Sequence, residues 1–207
     1  MAGSPAHRLI LASASPRRFE LLRQIGVQAT VQAADIDETP LSGEAPSDYV
    51  LRMARNKAHA VAAGADTHTV VLAADTTVVI DGDVLGKPVD YMDALAMLAR
   101  LSGRTHEVMT AVCVVTEGRV EDIQVTTKVS FANLNRALCE AYLATDEPWD
   151  KAGAYGIQGM GAILVSAIEG SYSNVVGLPL SECWHLLSAC GVQTGLQLLT
   201  AMTGDQE

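Results

Sequence analysis

One segment near the start of the chain combines residue types that bind anions. Ser13 and Ser15 stand just before Pro16, after an apolar run and at the beginning of a predicted helix. Arg17 and Arg18 follow directly. The free N–H groups and positive dipole end of a helix attract anions, and guanidinium groups add forked donors that suit phosphate oxygens. The alternative is an ordinary Ser-Pro helix start with both arginines in solvent.

A carboxylate interrupts an apolar strand pattern in the middle of the chain. Asp75 stands within the sequence TVVLAADTTVVI at 69–80, and Thr76 and Thr77 add hydroxyl groups beside it. Burying a carboxylate is costly unless it is paired, bound to a metal or open to a cleft. The pattern favours a general base or a metal ligand at the end of a strand. An aspartate in a turn that ends the strand is the alternative.

An acidic loop offers a second set of carboxylates. Asp35, Asp37 and Glu38 lie in the sequence DIDETP, between two predicted elements. Their hard oxygen atoms suit Mg²⁺, which proteins hold with one or two carboxylates together with substrate phosphates. A solvated acidic loop is the alternative interpretation.

Three lysines and a glycine-rich loop complete the candidates. Lys57, Lys87 and Lys151 belong to a set of only 14 Lys and Arg residues, although each alone is typical of a solvated lysine. Four glycines between 153 and 161 allow close backbone approach to a ligand. Within them Gln158 carries both a donor and an acceptor, which is the chemistry needed to recognise a base edge. An ordinary flexible loop is the alternative.

Composition excludes several classes of protein. The chain has 207 residues, of which 49% are hydrophobic and 18% charged, so it is not a disordered protein. Its net charge of −10 argues against binding to nucleic acid, which usually needs a basic surplus. Four cysteines without a CxxC pair favour a reduced compartment. With neither a signal peptide nor an apolar run long enough to cross a bilayer, we expect a soluble cytoplasmic protein.

The elements that must position these side chains intermix strands and helices. We predict strands at 8–12, 27–33, 69–80 and 163–168, with a hairpin at 106–131. We predict helices at 16–25, 48–63, 90–101 and 178–190, and one that ends near 144 after a cap at Asn133 or Asn135. Ser15 and Ser47 are the predicted caps of the first two helices, and 170–177 is predicted as a polar loop. The class is therefore α/β with a mixed sheet.

Eight motifs in this order resemble the Maf family of nucleoside triphosphate pyrophosphatases. They cover residues 8 to about 192, and they are SASPRR, the IDE loop, ARNKA, AADT, GKP, the LSG–H–V–T segment, DKAGAYGIQG and GSYSNVVGLP. The resemblance implies a two-lobed α/β fold with an elongated mixed sheet, flanking helices and a central cleft, related in architecture to inosine triphosphate pyrophosphatases. It implies a single domain over 1–207, with a core at 8–192 and tails at 1–7 and 193–207.

The resemblance also implies an activity. Members of the family cleave between the α- and β-phosphates with a divalent cation, Mg²⁺ or Mn²⁺, and homodimers are common among them. Asp75 matches the catalytic acidic residue, and Glu38 matches an acidic residue near the metal. The positions that match the phosphate cleft are Ser13, Arg17, Arg18, Lys57, Lys87 and Lys151.

Three positions separate branches of the family. Arg17, Thr76 and Gln158 match the branch that hydrolyses dTTP and UTP, whereas the branch that acts on 7-methyl-GTP typically carries Trp, Gln and Glu there. Ser173-Asn174 departs from many members, which have a second aromatic residue after Tyr172. The resemblance also leaves open a nucleotide-binding regulator of septum formation and cell division with little turnover. The presence of both Asp75 and the lysines favours the enzyme.

Overall fold

The computed structural model describes residues 7–204. Within this range a mixed sheet has the strand order β2-β1-β3-β5-β6-β7, with β4 paired to β3. Strands β1, β2 and β3 are parallel neighbours, and the other pairs are antiparallel. The strands are β1 Arg8–Leu11, β2 Thr30–Val31, β3 Thr69–Ile80, β4 Asp83–Leu85, β5 Thr105–Thr116, β6 Arg119–Phe131 and β7 Val165–Glu169.

Helices flank this sheet on both faces, which confirms the predicted mixed α/β class. They are α1 Pro16–Gln24, α2 Pro46–Ala62, α3 Tyr91–Leu101, α4 Arg136–Leu143, α5 Tyr172–Val176, α6 Leu180–Ala189 and α7 Gly195–Gly204. Two short 3₁₀ helices, Ala152–Ala154 and Gly159–Leu164, lie in the glycine-rich segment. The described residues include no helix whose length and apolar content would let it span a membrane.

The two-residue period of β3 divides the core into two faces. Val71 and Ala73 pack with α2 on one face, because successive strand side chains point to opposite sides. Val70 and Leu72 pack with α1 and α6 on the other face. Farther along β3 that second face continues under α3 and α4, where Val78 is buried. Each fully buried Leu or Val contributes about 1.5–3 kcal/mol of transfer free energy, so these contacts fix which way each β3 side chain points.

A gap in strand pairing opens one edge of β3. The parallel pairing with β1 extends to Leu72, and the antiparallel pairing with β4 begins at Val78. Residues 73–77 therefore have no strand neighbour on that edge within the part of the chain that the structure describes. On the other edge β5 pairs with β3 without interruption from Val71 to Val79. This gap is where a cleft can reach β3 from the side.

Several element boundaries differ from those predicted. Helix α2 begins at Pro46 with Ala45 before it, so Ser47 lies in the first turn and is not the cap. Ser15 does precede α1, but its side chain makes no capping hydrogen bond. Strand β4 was not predicted, and the predicted polar loop at 170–177 contains α5, capped by the Ser171 side chain. The predicted strand at 163–168 is a 3₁₀ helix to Leu164 and becomes β7 afterwards.

The segment after residue 193, predicted as a tail, contains helix α7. Gly195 donates its N–H to the carbonyl of Ile25 at 2.9 Å, and Trp184 donates to the Thr194 hydroxyl at 2.9 Å. Gly26 has φ +71°, and a Cβ there would lie 2.6 Å from the Cα of Gly195. The start of α7 is thus held by a close glycine–glycine contact that no sequence pattern indicates. Residues 1–6 of the predicted N-terminal tail lie outside the described residues.

Candidate active site

A cleft of about 630 Å³ opens at the unpaired edge of β3. It gathers nearly all of the ionic candidates from distant parts of the sequence. Five cationic side chains and three carboxylates line it: Arg17, Arg18, Lys57, Lys87 and Lys151, with Glu38, Asp75 and Asp150. Five of the 14 Lys and Arg residues are therefore concentrated here, in a chain whose net charge is −10. The local surplus of positive charge favours an anionic ligand.

Asp75 is buried and held by a lysine from α2. The odd-numbered residues of this part of β3 face α2, so the Asp75 side chain points toward that helix. Its Oδ1 lies 2.7 Å from Nζ of Lys57. The same Nζ lies 2.7 Å from Oε1 of Glu38. One ammonium group thus compensates two carboxylates, which removes much of the cost of burying Asp75. Partial burial acts to raise the pKa of Glu38, but the hydrogen bond and charge of Lys57 outweigh it and the pKa lies below its ordinary value.

Arg18 is fixed by three hydrogen bonds on the opposite side of β3. Its Nε donates to the carbonyl of Gly177 at 2.8 Å, and its Nη1 donates to the hydroxyl of Ser13 at 3.1 Å. Its Nη2 donates to the hydroxyl of Thr76 at 3.1 Å. Desolvation lowers the pKa of the Arg18 guanidinium and the charge of Asp75 acts in the opposite direction. An arginine remains protonated at neutral pH in any case, so Arg18 supplies a fixed positive charge.

The hydroxyl of Thr76 belongs to a directed chain of hydrogen bonds. Thr110, a fully buried residue of β5, donates to the carbonyl of Asn174 at 3.0 Å. Its oxygen lies 2.9 Å from that of Thr76. A hydroxyl has one proton, so Thr76 must donate to Thr110 while it accepts from Arg18. Thr76 is left with one lone pair and can act toward a ligand only as an acceptor.

Asp150 joins two of the cations across the cleft. Its Oδ2 lies 2.8 Å from Nη1 of Arg17, and its Oδ1 lies 2.6 Å from Nζ of Lys151. Burial acts to raise the pKa of Asp150, but the hydrogen bonds from Lys151 and Arg17 lower it to about 2. Asp150 therefore stays ionised and connects α1 with the glycine-rich segment.

The glycine-rich loop closes around a carboxylate of the protein itself. The side chain of Glu147 accepts the N–H of Met160 at 2.8 Å and that of Gly161 at 2.9 Å. A Cβ at Gly159 would lie 2.6 Å from the Glu147 carboxylate, and one at Gly161 would lie 2.9 Å from it. The expectation that these glycines admit a ligand is therefore wrong for these two positions, where they admit Glu147.

Lys87 and Gln158 are the candidates without a partner. Both side chains are exposed and line the cleft, and neither makes a hydrogen bond or ion pair within residues 7–204. The loop that carries Lys87 is held by a hydrogen bond from the N–H of Gly153 to the carbonyl of Gly86 at 3.0 Å. These two groups are consequently free to meet a ligand.

The acidic loop contributes one residue to the cleft. Glu38 lines it, whereas Asp37 accepts the N–H of Thr39 at 2.9 Å and neither Asp35 nor Asp37 is among the lining residues. Across the described chain no group of three or more His, Cys, Asp and Glu residues could hold a metal ion. Glu38 and Asp75 nevertheless converge on one point, marked by the ammonium of Lys57. Two convergent carboxylates fit Mg²⁺ or Mn²⁺, because such ions take their remaining ligands from substrate and water.

Sequence reasoning missed several residues that shape this site. Glu147 and Asp150 both lie just before the glycines in sequence, and their acidic character there was the available signal. Thr110 and Asn174 lie within two of the quoted motifs but were given no role, because their role depends on which strands become neighbours. The predicted site residues are all brought together: Ser13, Arg17, Arg18, Glu38, Lys57, Asp75, Thr76, Lys87, Lys151 and Gln158 all line the one cleft.

Comparison with known proteins identifies the family of this chain. The profile of the family described as Maf-like protein matches residues 8–190. The chain belongs to the Maf family. A protein of Methylobacillus flagellatus named dTTP/UTP pyrophosphatase is 53% identical over 186 residues, which is 89% of this chain and 94% of that protein. A Myxococcus xanthus protein of the same name is 55% identical over 185 residues, 89% of this chain and 93% of that protein.

More remote likenesses extend beyond the Maf family. The crystal structure of a nucleoside-triphosphatase, dITP/XTP pyrophosphatase, from Mycobacterium abscessus covers 97% of this Maf chain, and 98% of that chain is covered in turn. The sequence identity is 19% and the TM-score 0.42, a likeness too distant to bear on function. Membership of the Maf family, predicted from the eight motifs, is confirmed by the profile match and the two close relatives.

Proposed function

We propose that this Maf chain hydrolyses dTTP and UTP to the nucleoside monophosphate and pyrophosphate. The observation that carries the proposal is Asp75, a buried carboxylate in a cleft where five cationic side chains face three carboxylates. The names of its relatives, dTTP/UTP pyrophosphatases at 53% and 55% identity, support the same reaction. The proposed reaction is hydrolysis of an acid anhydride bond between the α- and β-phosphates.

The cations of the cleft bind the triphosphate. Arg18 presents a fixed guanidinium beside the Ser13 hydroxyl, and Lys87 is exposed with no competing partner among the described residues. Lys57 and Lys151 exchange part of their carboxylate contacts for phosphate oxygens when substrate enters. Fixed positive charges of this kind stabilise the charge that develops on the leaving pyrophosphate.

Asp75 acts as the general base. Its Oδ1 is engaged by Lys57, whereas its Oδ2 has no hydrogen bond to any described residue. Oδ2 takes a proton from a water molecule, and the oxygen of that water attacks the α-phosphorus as the bond to the α–β bridging oxygen breaks. The lysine holds the carboxylate in one orientation, so the base does not have to be positioned during the reaction.

A divalent cation, Mg²⁺ or Mn²⁺, is part of the proposal. Glu38 and Asp75 would hold it together with phosphate oxygens, and when bound it would neutralise charge on the triphosphate.

Arg17, Thr76 and Gln158 distinguish the base. Arg17 can only donate and Thr76 can only accept, while Gln158 does both, a set that suits the carbonyl and N–H edge of uracil or thymine. We place this single-domain protein in the cytoplasm as a homodimer.

Pyrophosphate release from a panel of nucleotides tests the function. The panel contains dTTP, UTP, CTP, dATP, GTP and 7-methyl-GTP, each with Mg²⁺ or Mn²⁺, and Asp75→Ala serves as the inactive control. We expect release from dTTP and UTP that is lost in the control. Release mainly from 7-methyl-GTP would contradict the assignment of Arg17, Thr76 and Gln158. Nucleotide binding without release would favour the second candidate, a nucleotide-binding regulator of cell division.

A further inference from the structure

The carboxylate of Glu147 caps the short helix that follows Gln158. The first N–H groups of a helix have no partner within the helix itself. In the 3₁₀ helix Gly159–Leu164, two of these groups, those of Met160 and Gly161, donate to the two oxygens of Glu147. Gln158 is the residue immediately before this helix, with extended backbone at φ −85° and ψ 157°. The carboxylate therefore fixes the point from which the Gln158 side chain departs.

A hydroxyl group completes the environment of this carboxylate. Tyr142 donates its hydroxyl to Oε1 of Glu147 at 3.0 Å and accepts the N–H of Gly156 at 3.1 Å. Glu147 thereby reaches the loop on both sides of Gln158. Within residues 7–204 its carboxylate takes part in no ion pair, and the donors that contact it directly are neutral. Charge-assisted hydrogen bonds of this type are about twice as strong as neutral ones.

The main chain of the same residue contacts the phosphate side of the cleft. Lys151 donates its ammonium group to the carbonyl oxygen of Glu147. The glycines at 156 and 159 permit this packing, because a Cβ at Gly156 would lie 2.7 Å from Cε of Lys151 and one at Gly159 2.6 Å from Glu147. Backbone N–H groups of the loop and the ammonium group of Lys151 therefore fix the position of Glu147, and the same hydrogen bonds fix the backbone of the loop.

We propose that Glu147 is a positioning residue for base recognition, and that it acts through Gln158. The inference rests on the proposed function, because it assigns Gln158 to the base. The Gln158 side chain makes no hydrogen bond within the described chain, so its position depends on its backbone alone. If the backbone shifts, the amide loses its hydrogen bonds to uracil or thymine. A site left with an unpaired polar group discriminates far less between substrates.

UTP and CTP form the most informative substrate pair. They share the ribose and the triphosphate and differ only at the base edge that Gln158 faces in the proposed function. In Glu147→Gln the amide nitrogen opposes one of the two backbone N–H groups, so one hydrogen bond is lost with little change in volume. We expect the ratio of kcat/KM for UTP to that for CTP to fall about tenfold, the effect of one lost hydrogen bond, mainly through KM for UTP.

Asp146→Asn is the matched control, because it changes the neighbouring acidic residue, which is exposed. It should keep the wild-type ratio. A double variant tests whether Glu147 acts through Gln158. Glu147→Gln combined with Gln158→Ala should show the same ratio as Gln158→Ala alone.

Two outcomes would overturn the inference. One is a Glu147→Gln variant that keeps the wild-type ratio of UTP to CTP. The other is a double variant whose ratio falls below that of Gln158→Ala. If Glu147→Gln does not fold, Tyr142→Phe removes one donor to the same carboxylate and must lower the ratio in the same direction. If the wild type releases no pyrophosphate from UTP, the proposed function fails. The inference is then tested by the ratio of the equilibrium dissociation constants for UTP and CTP, measured in the same variants.

Discussion

Asp75 and Thr76 are consecutive residues of β3 whose side chains lie on opposite faces of the sheet and yet line one cleft. Asp75 meets Lys57 from α2, and Thr76 meets Arg18 from α1. Both are accessible from the side because residues 73–77 of β3 have no strand on that edge in the described chain. The gap between β1 and β4 therefore brings the proposed base and a proposed specificity residue to a single ligand.

Asp75→Asn should abolish turnover without unfolding the protein. An amide has nearly the same shape as a carboxylate, but it cannot take a proton from water. We expect kcat for dTTP and UTP to fall at least about a thousandfold, within the range for loss of a general base. Pyrophosphate release measures the loss, and thermal denaturation measures the fold.

Asp122→Asn provides the control for this substitution. Asp122 is an aspartate of β6 that pairs with Arg55 of α2 and does not line the cleft. It should retain wild-type kcat. Turnover by Asp75→Asn at a rate near that of this control, with normal melting, would exclude Asp75 as the base.

Thr110→Val should weaken recognition of UTP. The substitution keeps the side-chain shape but removes the oxygen that accepts the proton of Thr76. Thr76 can then turn its proton toward the ligand, so it no longer acts only as an acceptor. We expect kcat/KM for UTP to fall about tenfold relative to CTP, the effect of one mispaired hydrogen bond.

Thr110→Ser restores the hydroxyl and should recover the wild-type ratio. The valine variant also removes the hydrogen bond from Thr110 to the carbonyl of Asn174, which still accepts the N–H of Gly177 at 3.0 Å. The free energy of unfolding should therefore decrease by about 0.5–1.5 kcal/mol, the contribution of one hydrogen bond. A wild-type ratio of UTP to CTP in Thr110→Val would show that Thr76 is not oriented by this chain of hydrogen bonds. Urea denaturation separates the effect on stability from the effect on selectivity.

Local patterns were sufficient for much of the fold. The β-branched run at 69–80 became β3, and the Ser-Pro-Arg-Arg segment became the start of α1. Both predictions were correct because residue type and hydrophobic period are enough to indicate such elements. β4 has three residues and α5 has five, too short for a periodic signal, so their formation depends on pairing with β3 and on the Ser171 cap.

The sequence predicted which residues form the site, but it did not predict the hydrogen bonds that join them. The motifs identified ten of the residues that line the cleft, because a family resemblance is read from residue types and their order. The roles of Thr110 and Glu147 depend on which atoms become neighbours after folding. Thr110 reaches Thr76 because the two residues are directly paired in the β3–β5 register. No spacing in the sequence indicates that register.

His106 should make the protein less stable in mild acid. Its ring is buried with Nε2 2.7 Å from the hydroxyl of Tyr155, and burial lowers its pKa from 6.5 to about 4. Between those two values the unfolded chain binds a proton that the folded chain does not, so stability falls as pH falls through this window. Through this group alone, the free energy of unfolding near pH 4 should be about 3 kcal/mol lower than at neutral pH.

Urea denaturation at several pH values between 7 and 4 checks this expectation. In His106→Gln the free energy of unfolding should change less with pH over that window than in the wild type. His59→Gln, which changes an exposed histidine of α2, should keep the wild-type dependence. Equal slopes for His106→Gln and wild type would mean that the folded protein protonates this ring normally.

Glu38→Gln should weaken the proposed metal site and leave the base in place. Glu38 and Asp75 each lie 2.7 Å from the ammonium of Lys57, so the two carboxylates are directed to one point. An amide is a weaker ligand for Mg²⁺ than a carboxylate. We expect the Mg²⁺ concentration for half-maximal pyrophosphate release to rise about tenfold, the lower end of the range for altered metal sites, with kcat recovered at saturating metal.

Asp37→Asn is the matched control within the same acidic loop. Asp37 accepts the N–H of Thr39 and does not line the cleft, so its substitution should leave the metal dependence unchanged. Removal of metal with EDTA should stop turnover in all three proteins, and added Mg²⁺ or Mn²⁺ should restore it. If Glu38→Gln lowers kcat even at saturating metal while its half-maximal Mg²⁺ concentration stays at the wild-type value, Glu38 acts on Lys57 and not on a metal. In that case its ion pair with the lysine would be the feature that keeps Asp75 oriented for proton transfer.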